Sequence, residues 1–408
     1  MTRNTSGSCA SSAGRSALAG ASVLAAALAV ELADELVDGT KGAAMPLIRH
    51  DLALSYGQIG LLASVPLLLG SLLELPLGAV AGHGRRRRIA VLAGGAVFVA
   101  SLAGVATAGS FAALLVAFVI FFPASGAFVS LTQSGLMDAD PARQERHMAR
   151  WNLAGSAGAV AGPFLLIAVL AAGGSWRTAY LVLACCAVLA WLGVASSGRR
   201  PVTPPAADSP GAAERAAETE RGGATRQVRT ALQQNGVIRW LVLLQVSDLL
   251  LDVLTGFLAI YLVDVVHATP AEAALGVAIR LAAGLAGDVA FVRVLERTAG
   301  LRVLAPSVAA AAVLYPGFLL VPGLWPKLAV LAGLSIATAP WYPVLQAGLY
   351  GSLPGQSGVA VSLASAAGLA GGAGPLTVGF LAERFGLAWA LACLIIAPVC
   401  LLVGLRRR

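Results

Sequence analysis

The sequence is short of charge. Asp, Glu, Lys and Arg make up 12% of its 408 residues, about half the roughly 25% of a soluble domain. A chain this poor in charge cannot clothe a water-facing surface. With 58% apolar residues and a mean hydropathy of +0.82, it requires lipid as its solvent. Lysine is almost missing: Lys41 and Lys327 are the only two, and every other basic residue is arginine. Cysteine is scarce and scattered. Cys9 stands alone, and Cys185, Cys186, Cys393 and Cys400 lie in apolar stretches. This excludes a disulfide framework and suggests small buried hydrophobes. The four histidines, His50, His83, His147 and His267, fall at expected helix ends or in loops. No His-x-x-x-His or carboxylate–histidine cluster occurs, so neither a metal site nor a bound cofactor is expected. A net charge of +8 would suggest nucleic acid for a soluble protein. Here the placement of the charges assigns them to membrane topology, and no nucleic-acid partner is expected.

A bilayer core ~30 Å thick takes about 20 apolar residues per helix. Windows of that size place spans near 17–47, 56–81, 89–109, 111–133, 151–172, 177–196, 238–263, 270–294, 302–321, 326–347, 358–380 and 386–404. The weakest division is the Thr107–Ser110 junction between the third and fourth. The predicted fold is an all-α membrane protein of twelve helices in two six-helix bundles. It comprises an N-terminal tail (1–16), a first bundle (17–196), a linker (197–236) and a second bundle with a short tail (237–408). The linker mixes Pro, Ala, Glu and Arg without apolar periodicity and reads as a flexible tether. Basic residues concentrate on the inner side of a membrane protein. With both termini cytoplasmic, 22 of the 28 basic residues fall inside, which favours an even number of spans in a bacterial inner membrane. The expected partners are the lipid bilayer, a small-molecule substrate and protons, and a monomer is expected.

The two halves align without a gap at an offset of 214 across the first two spans of each. Asp34 falls on Asp248, Asp38 on Asp252, Gly42 on Gly256, Gly70 on Gly284 and Arg88 on Arg302. Glu74 falls on Asp288, acid on acid. Apolar helices match by chance; intramembrane carboxylates are too rare to do so. Both copies start on the inside, so the repeat is parallel, with its axis along the membrane normal.

These acids are the main chemical content of the sequence. At 100° per residue Glu31, Asp34, Glu35 and Asp38 share one helix face. Asp248 and Asp252 repeat the stripe on the seventh span, with Gln245 in the place of Glu31. A charged side chain at mid-membrane costs roughly 2.5–3.5 kcal/mol, so eight lipid-facing acids would cost on the order of 20 kcal/mol. They must be paired, protonated or bathed in water. Asp34, Asp38, Asp248, Asp252, Glu74 and Asp288 are therefore the candidates for proton coupling or for lining a cavity. The alternative is a structural role, in which the acids are held by hydrogen bonds or ion pairs; Lys41, one turn from Asp38, is such a partner. Arg280, the one basic residue deep in a span, pairs with Asp248 or Asp252, or holds an anionic group of the substrate. Glu35, Trp341 and Tyr342 complete the substrate-binding candidates. The two prolines of Ala339-Pro-Trp-Tyr-Pro343 should kink the tenth span.

With six plus six spans, a long central loop and a basic loop after the second span, the chain resembles the major facilitator superfamily. The stretches Asp38-x-x-x-Gly42-x-x-x-Pro46-Leu-Ile and Leu54-Ser-Tyr-Gly-Gln-Ile-Gly-Leu-Leu62 are similar to fosmidomycin-resistance-type efflux proteins. The resemblance implies a gating loop at Gly78 and Arg85, Arg86, Arg87 and Arg88, although Gly82 stands where the superfamily's motif has an aspartate. Gly158-x-x-x-Gly162-Pro163 resembles the antiporter glycine–proline motif, and close helix packing by small residues explains it equally well. The resemblance implies proton-coupled efflux of a small organic compound by alternating access. Proton-coupled uptake is the first alternative and a membrane-embedded sensor or enzyme the second.

Overall fold

A computed structural model describes residues 6–80, 84–139, 144–197, 236–352, 363, 367–369 and 371–406. Among these the chain is helical throughout, with no strand. The helices are α1 (Ser6–Asp51), α2 (Tyr56–Val80), α3 (Gly84–Thr107), α4 (Phe111–Ser125), α5 (Leu131–Ala139), α6 (Gln144–Ala171), α7 (Trp176–Ser197), α8 (Val237–Asp264), α9 (Pro270–Leu295), α10 (Gly300–Leu320), α11 (Leu324–Thr338), α12 (Trp341–Gly351), α13 (Gly374–Phe385), α14 (Leu387–Ala392) and α15 (Ile396–Arg406).

Nine helical stretches among the described residues are long and apolar enough to cross a membrane, and Tyr56–Gly70 is a shorter apolar helix. Their outward faces carry large apolar side chains, such as Leu320 and Val313, which only lipid solvates favourably. The same exposure corrects the reading of the cysteines. Cys185, Cys393 and Cys400 are exposed rather than buried, because a membrane protein presents apolar residues outward as well as inward.

The boundaries differ from expectation in two places. Residues 6–16, expected as a tail, are already part of α1; Gly7 and Gly14 weaken the helix there, and no proline interrupts it. Arg85–Arg88, expected in a loop, form the first turn of α3. The tenth span breaks where its prolines were expected to kink it, the Ala339–Pro340 step dividing it into α11 and α12. At the weakest expected division, α3 ends at Thr107 and Ser110 caps α4 by accepting the Ala113 N–H at 3.3 Å. Residues 198–235 of the expected linker, and most of the expected eleventh span before Gly371, lie outside the described residues.

The chain divides into two compact units, 1–41 with 69–203 and 42–68 with 204–408. Helices α1 and α2 therefore pass from one to the other. In the first unit α3 packs on α4 and α7 around Phe98, Phe118, Phe121 and Phe128, with ring centroids 5.0–6.4 Å apart. Trp191 donates its indole N–H to the Leu92 carbonyl at 2.9 Å. After Pro123, which has no N–H to give, the α4 ladder widens into a π turn over Gly126–Ser130.

In the second unit α9 packs on α11, and α8 on α9, α12 and α15. Thr269 and Glu272 form a capping box on α9. Lys327 is buried and caps the C-terminus of α10, donating to the carbonyls of Phe318 at 2.5 Å and Leu319 at 3.0 Å. The repeat is visible in this unit. α2 starts at Tyr56 and α9 at Pro270, 214 residues apart. The turns before them contain Ala53 and His267, also 214 apart, the two non-glycine residues with positive φ among those described (49° and 61°).

Candidate functional site

The four acids of α1 divide between two environments. Glu31 is buried and accepts the Trp151 indole N–H. Its carboxylate lies beside Gly155 of α6, and the Glu35 side chain beside Gly155 and Gly158. Small residues on α6 make this possible. A Cβ at Gly158 would stand 2.5 Å from the Leu32 carbonyl oxygen, and one at Gly162 2.5 Å from the Thr40 nitrogen. The Thr40 hydroxyl bridges the two helices, reaching the carbonyl oxygens of Gly162 at 3.1 Å and Leu36 at 2.7 Å. Pro163 follows inside α6.

Asp34 turns toward α4 and accepts from the Ser125 hydroxyl at 2.8 Å. Asp38 has 64% of its side chain exposed and pairs with Lys41 at 2.5 Å, while the Lys41 ammonium sits 5.1 Å from the centre of the Phe122 ring. One turn beyond Asp38, Gly42 opens on space in which a Cβ would meet nothing within 4 Å.

The seventh span repeats part of this. On α8, Asp248 is half-buried and Asp252 exposed, and one turn further Gly256 likewise has nothing within 4 Å of a Cβ. An exposed aspartate followed by an open glycine thus recurs at the offset of 214. Arg280 reaches back from α9 to this helix. Its guanidinium donates to the Thr255 hydroxyl, at 3.0 Å from Nε and 2.6 Å from Nη2, and to the Leu251 carbonyl at 2.8 Å. Asp252 lies within its electrostatic reach. Leu251 and Thr255 went unnoticed in the sequence; residues i and i+4 on a helix flanking Asp252 are the signal that points to them.

The remaining candidates are dispersed. Asp288 is exposed on α9. Glu74 and Gly78 lie on α2, their side-chain environments outside the described residues. Arg88 donates to the Ala195 carbonyl at 3.4 Å; Arg85 and Arg86 are exposed, and Arg87 lies beside Gly135. Trp341 has no exposed surface, and its indole donates to the Ser307 hydroxyl at 2.8 Å. Tyr342 is exposed beside Gln346.

Sequence reasoning also missed a cluster at the far ends of α1 and α8. Arg49 Nη1 meets the Asp264 carboxylate at 2.6 Å and the Tyr56 hydroxyl donates to the same oxygen at 2.8 Å. The Arg49 guanidinium lies 4.3 Å from the centre of the Tyr56 ring.

Comparison with known proteins gives a consistent result. Residues 34–263, more than half of the chain, match the family model described as Major Facilitator Superfamily. A search of curated proteins found no match. Among solved structures, the chain is similar to an inward-facing, unoccupied bacterial homolog of the human lysosomal transporter Spinster. The TM-score is 0.76 at 15% identity, over 95% of this chain and 96% of that one. It is also similar to the nucleoside transporter NupG (TM-score 0.72, 12% identity, 96% and 100% of the two chains). A third likeness is to a peptide transporter POT in complex with sulfate (0.66, 15%, 93% and 94%). At these identities the likenesses show the fold.

Proposed function

The chain belongs to the major facilitator superfamily and is a multi-pass membrane transporter rather than an enzyme, and from that premise we propose that it is a proton-coupled exporter of a small organic compound. Twelve spans in two six-helix bundles, with both termini in the cytoplasm, belong to this reading. So does alternating access, in which rocking motions open a substrate path first to one side and then to the other.

The observation that carries the coupling is the matched pair of exposed aspartates, Asp38 and Asp252, each one turn before an open glycine. Carboxylates on membrane-spanning helices cost several kcal/mol each unless neutralised, paired or wetted. A group that meets all three conditions in turn can take a proton from one side and release it on the other. Asp38 exchanges Lys41 for a proton, and Asp252 acts beside Arg280. Asp34 and Asp248 serve as their neighbours one turn away. Glu31 and Glu35, packed against α6, hold α1 in place. A neutral or cationic amphipathic substrate suits the acidic bias, and Arg280 is the group available to an anionic substituent. The export direction rests on the resemblance to efflux proteins.

A growth screen of an expressing strain against a panel of toxic compounds tests this, with Asp34→Asn and Asp252→Asn alongside. The wild type should protect and the variants should not. If all three protect equally, the coupling assignment is wrong. For uptake, acid-inside everted vesicles give the opposite sign: protons leaving the vesicle carry the compound out with them instead of exchanging for it.

A further inference from the structure

Toward the junction that joins them, α3 and α4 leave a groove of about 590 Å³, within the roughly 300–1,000 Å³ of small-molecule sites. Small residues such as Ala100, Gly104 and Ala113 form it and do not fill it. Val97, Val116 and Ile120 flank it and keep 43%, 57% and 43% of their surface, so it opens on the lipid side. Among its described lining residues only Ser101 is polar, and that hydroxyl is spent on the Phe98 carbonyl at 2.7 Å. The groove therefore suits an apolar chain and not a polar ligand. A second copy of the protein fits it poorly. Nine described residues line it, against roughly 20–30 on each side of a stable interface.

The closed end of the groove carries charge. From Ile89 to Met137 and from Trp151 to Gly198 the sequence holds a single charged residue, Arg177. Its guanidinium donates to the Ala108 carbonyl at 3.0 Å. Ala108 lies in the turn between α3 and α4, and Gly104 before it and Ala112 after it both line the groove. Beside it Gly109 has nothing within 4 Å of a Cβ, so a bulky group has room there. Trp176 and Arg177 open α7, with the guanidinium 4.3 Å from the centre of the indole ring. A tryptophan with a basic neighbour at a span end belongs at the membrane–water boundary, the level of headgroup phosphates.

We infer that the α3–α4 groove holds an anionic phospholipid, with one acyl chain between the helices and its phosphate on Arg177. This needs the chain to lie in a membrane and is independent of the direction and coupling of transport. The probe is a phosphatidylglycerol with a diazirine in one acyl chain, mixed into phosphatidylcholine proteoliposomes. After irradiation, adducts are mapped by mass spectrometry of peptides. The reference for ordinary lipid contact is α10, where Val313 and Leu320 keep 74% and 81% of their surface.

In the wild type, adducts should concentrate on α3 and α4 around the groove, well above the α10 level. Ala100→Leu with Ala113→Leu fills the groove with apolar side chains. It should bring those adducts down to the α10 level and leave α10 itself unchanged. Arg177→Gln should lower groove labelling about fivefold, and Arg177→Lys should keep most of it. A diazirine-bearing diacylglycerol, which has no phosphate, should label the wild-type groove about fivefold less than the phosphatidylglycerol does. That comparison decides the role of the phosphate even if Arg177→Gln does not fold. Adducts spread evenly over α3, α4 and α10, or a filled variant that labels like the wild type, overturn the inference. So do equal labelling by the two probes and a dimer that the filled variant abolishes, which would make the groove a contact between copies.

Discussion

Gly162→Ala should loosen the packing of α1 on α6. A Cβ there would stand 2.5 Å from the Thr40 nitrogen, 2.7 Å from the Leu36 carbonyl oxygen and 2.8 Å from the Gly39 carbonyl carbon. All three are backbone atoms, so no side chain can swing away. Bringing the nearest contact out to an ordinary ~3.4 Å means parting the helices locally by about 0.9 Å. Overpacking of this kind costs about 1–3 kcal/mol. The Thr40 hydroxyl also loses its reach to the Gly162 carbonyl, worth about 0.5–1.5 kcal/mol. Replacing glycine by alanine inside a helix returns roughly 0.8–1 kcal/mol. The net loss is about 1–3 kcal/mol. Gly42→Ala and Gly256→Ala make the same chemical change where nothing lies within 4 Å. Those two should be neutral or slightly stabilising. The assay is the loss of the monodisperse fluorescent peak on heating a detergent-solubilised fluorescent-protein fusion. If Gly162→Ala melts with Gly42→Ala rather than well below it, the packing argument fails.

Lys327→Met removes the amine that caps α10 and leaves the Phe318 and Leu319 carbonyls without their donor. A loss of about 1–3 kcal/mol is expected in the same melting assay, with no effect on proton coupling. Trp341→Phe keeps the buried ring volume but drops the bond to Ser307, which should cost about 1 kcal/mol and leave substrate selectivity unchanged. A changed compound profile in the growth screen would return Trp341 to the binding site. Ala53→Gly relieves a left-handed residue at the turn between α1 and α2, and should stabilise by up to about 1 kcal/mol; a lower melting point would contradict it.

Much of the fold could be read from single residues and their spacing. Apolar windows located the helices because lipid demands long uninterrupted runs, and the matched acids exposed the repeat. The structure extends that match to the Ala53 and His267 turns, a backbone property that composition does not announce. The candidate site was legible only along each helix. That Asp38 shares a helix face with Gly42, and Asp252 with Gly256, follows from the helical period. That Glu31 meets Trp151, or that Asp264 meets Arg49 across 215 residues, depends on which helices are neighbours, and one sequence does not encode that locally. Neither Arg49 nor Asp264 belongs to a motif or to the repeat of acids, so nothing in the sequence marks them as partners. The passage of α1 from one unit to the other at Lys41 has no marker either, since the helix continues unbroken through it.

The most direct test of proton exchange is a flux measurement in proteoliposomes that enclose a pH-sensitive dye, using a compound against which the strain is protected. With an imposed proton gradient, adding the compound should dissipate the gradient through the wild type, while Asp38→Asn and Asp252→Asn should leave it standing. Movement of the compound with no proton flux, or equal dissipation by the wild type and both variants, would contradict the role assigned to these two aspartates.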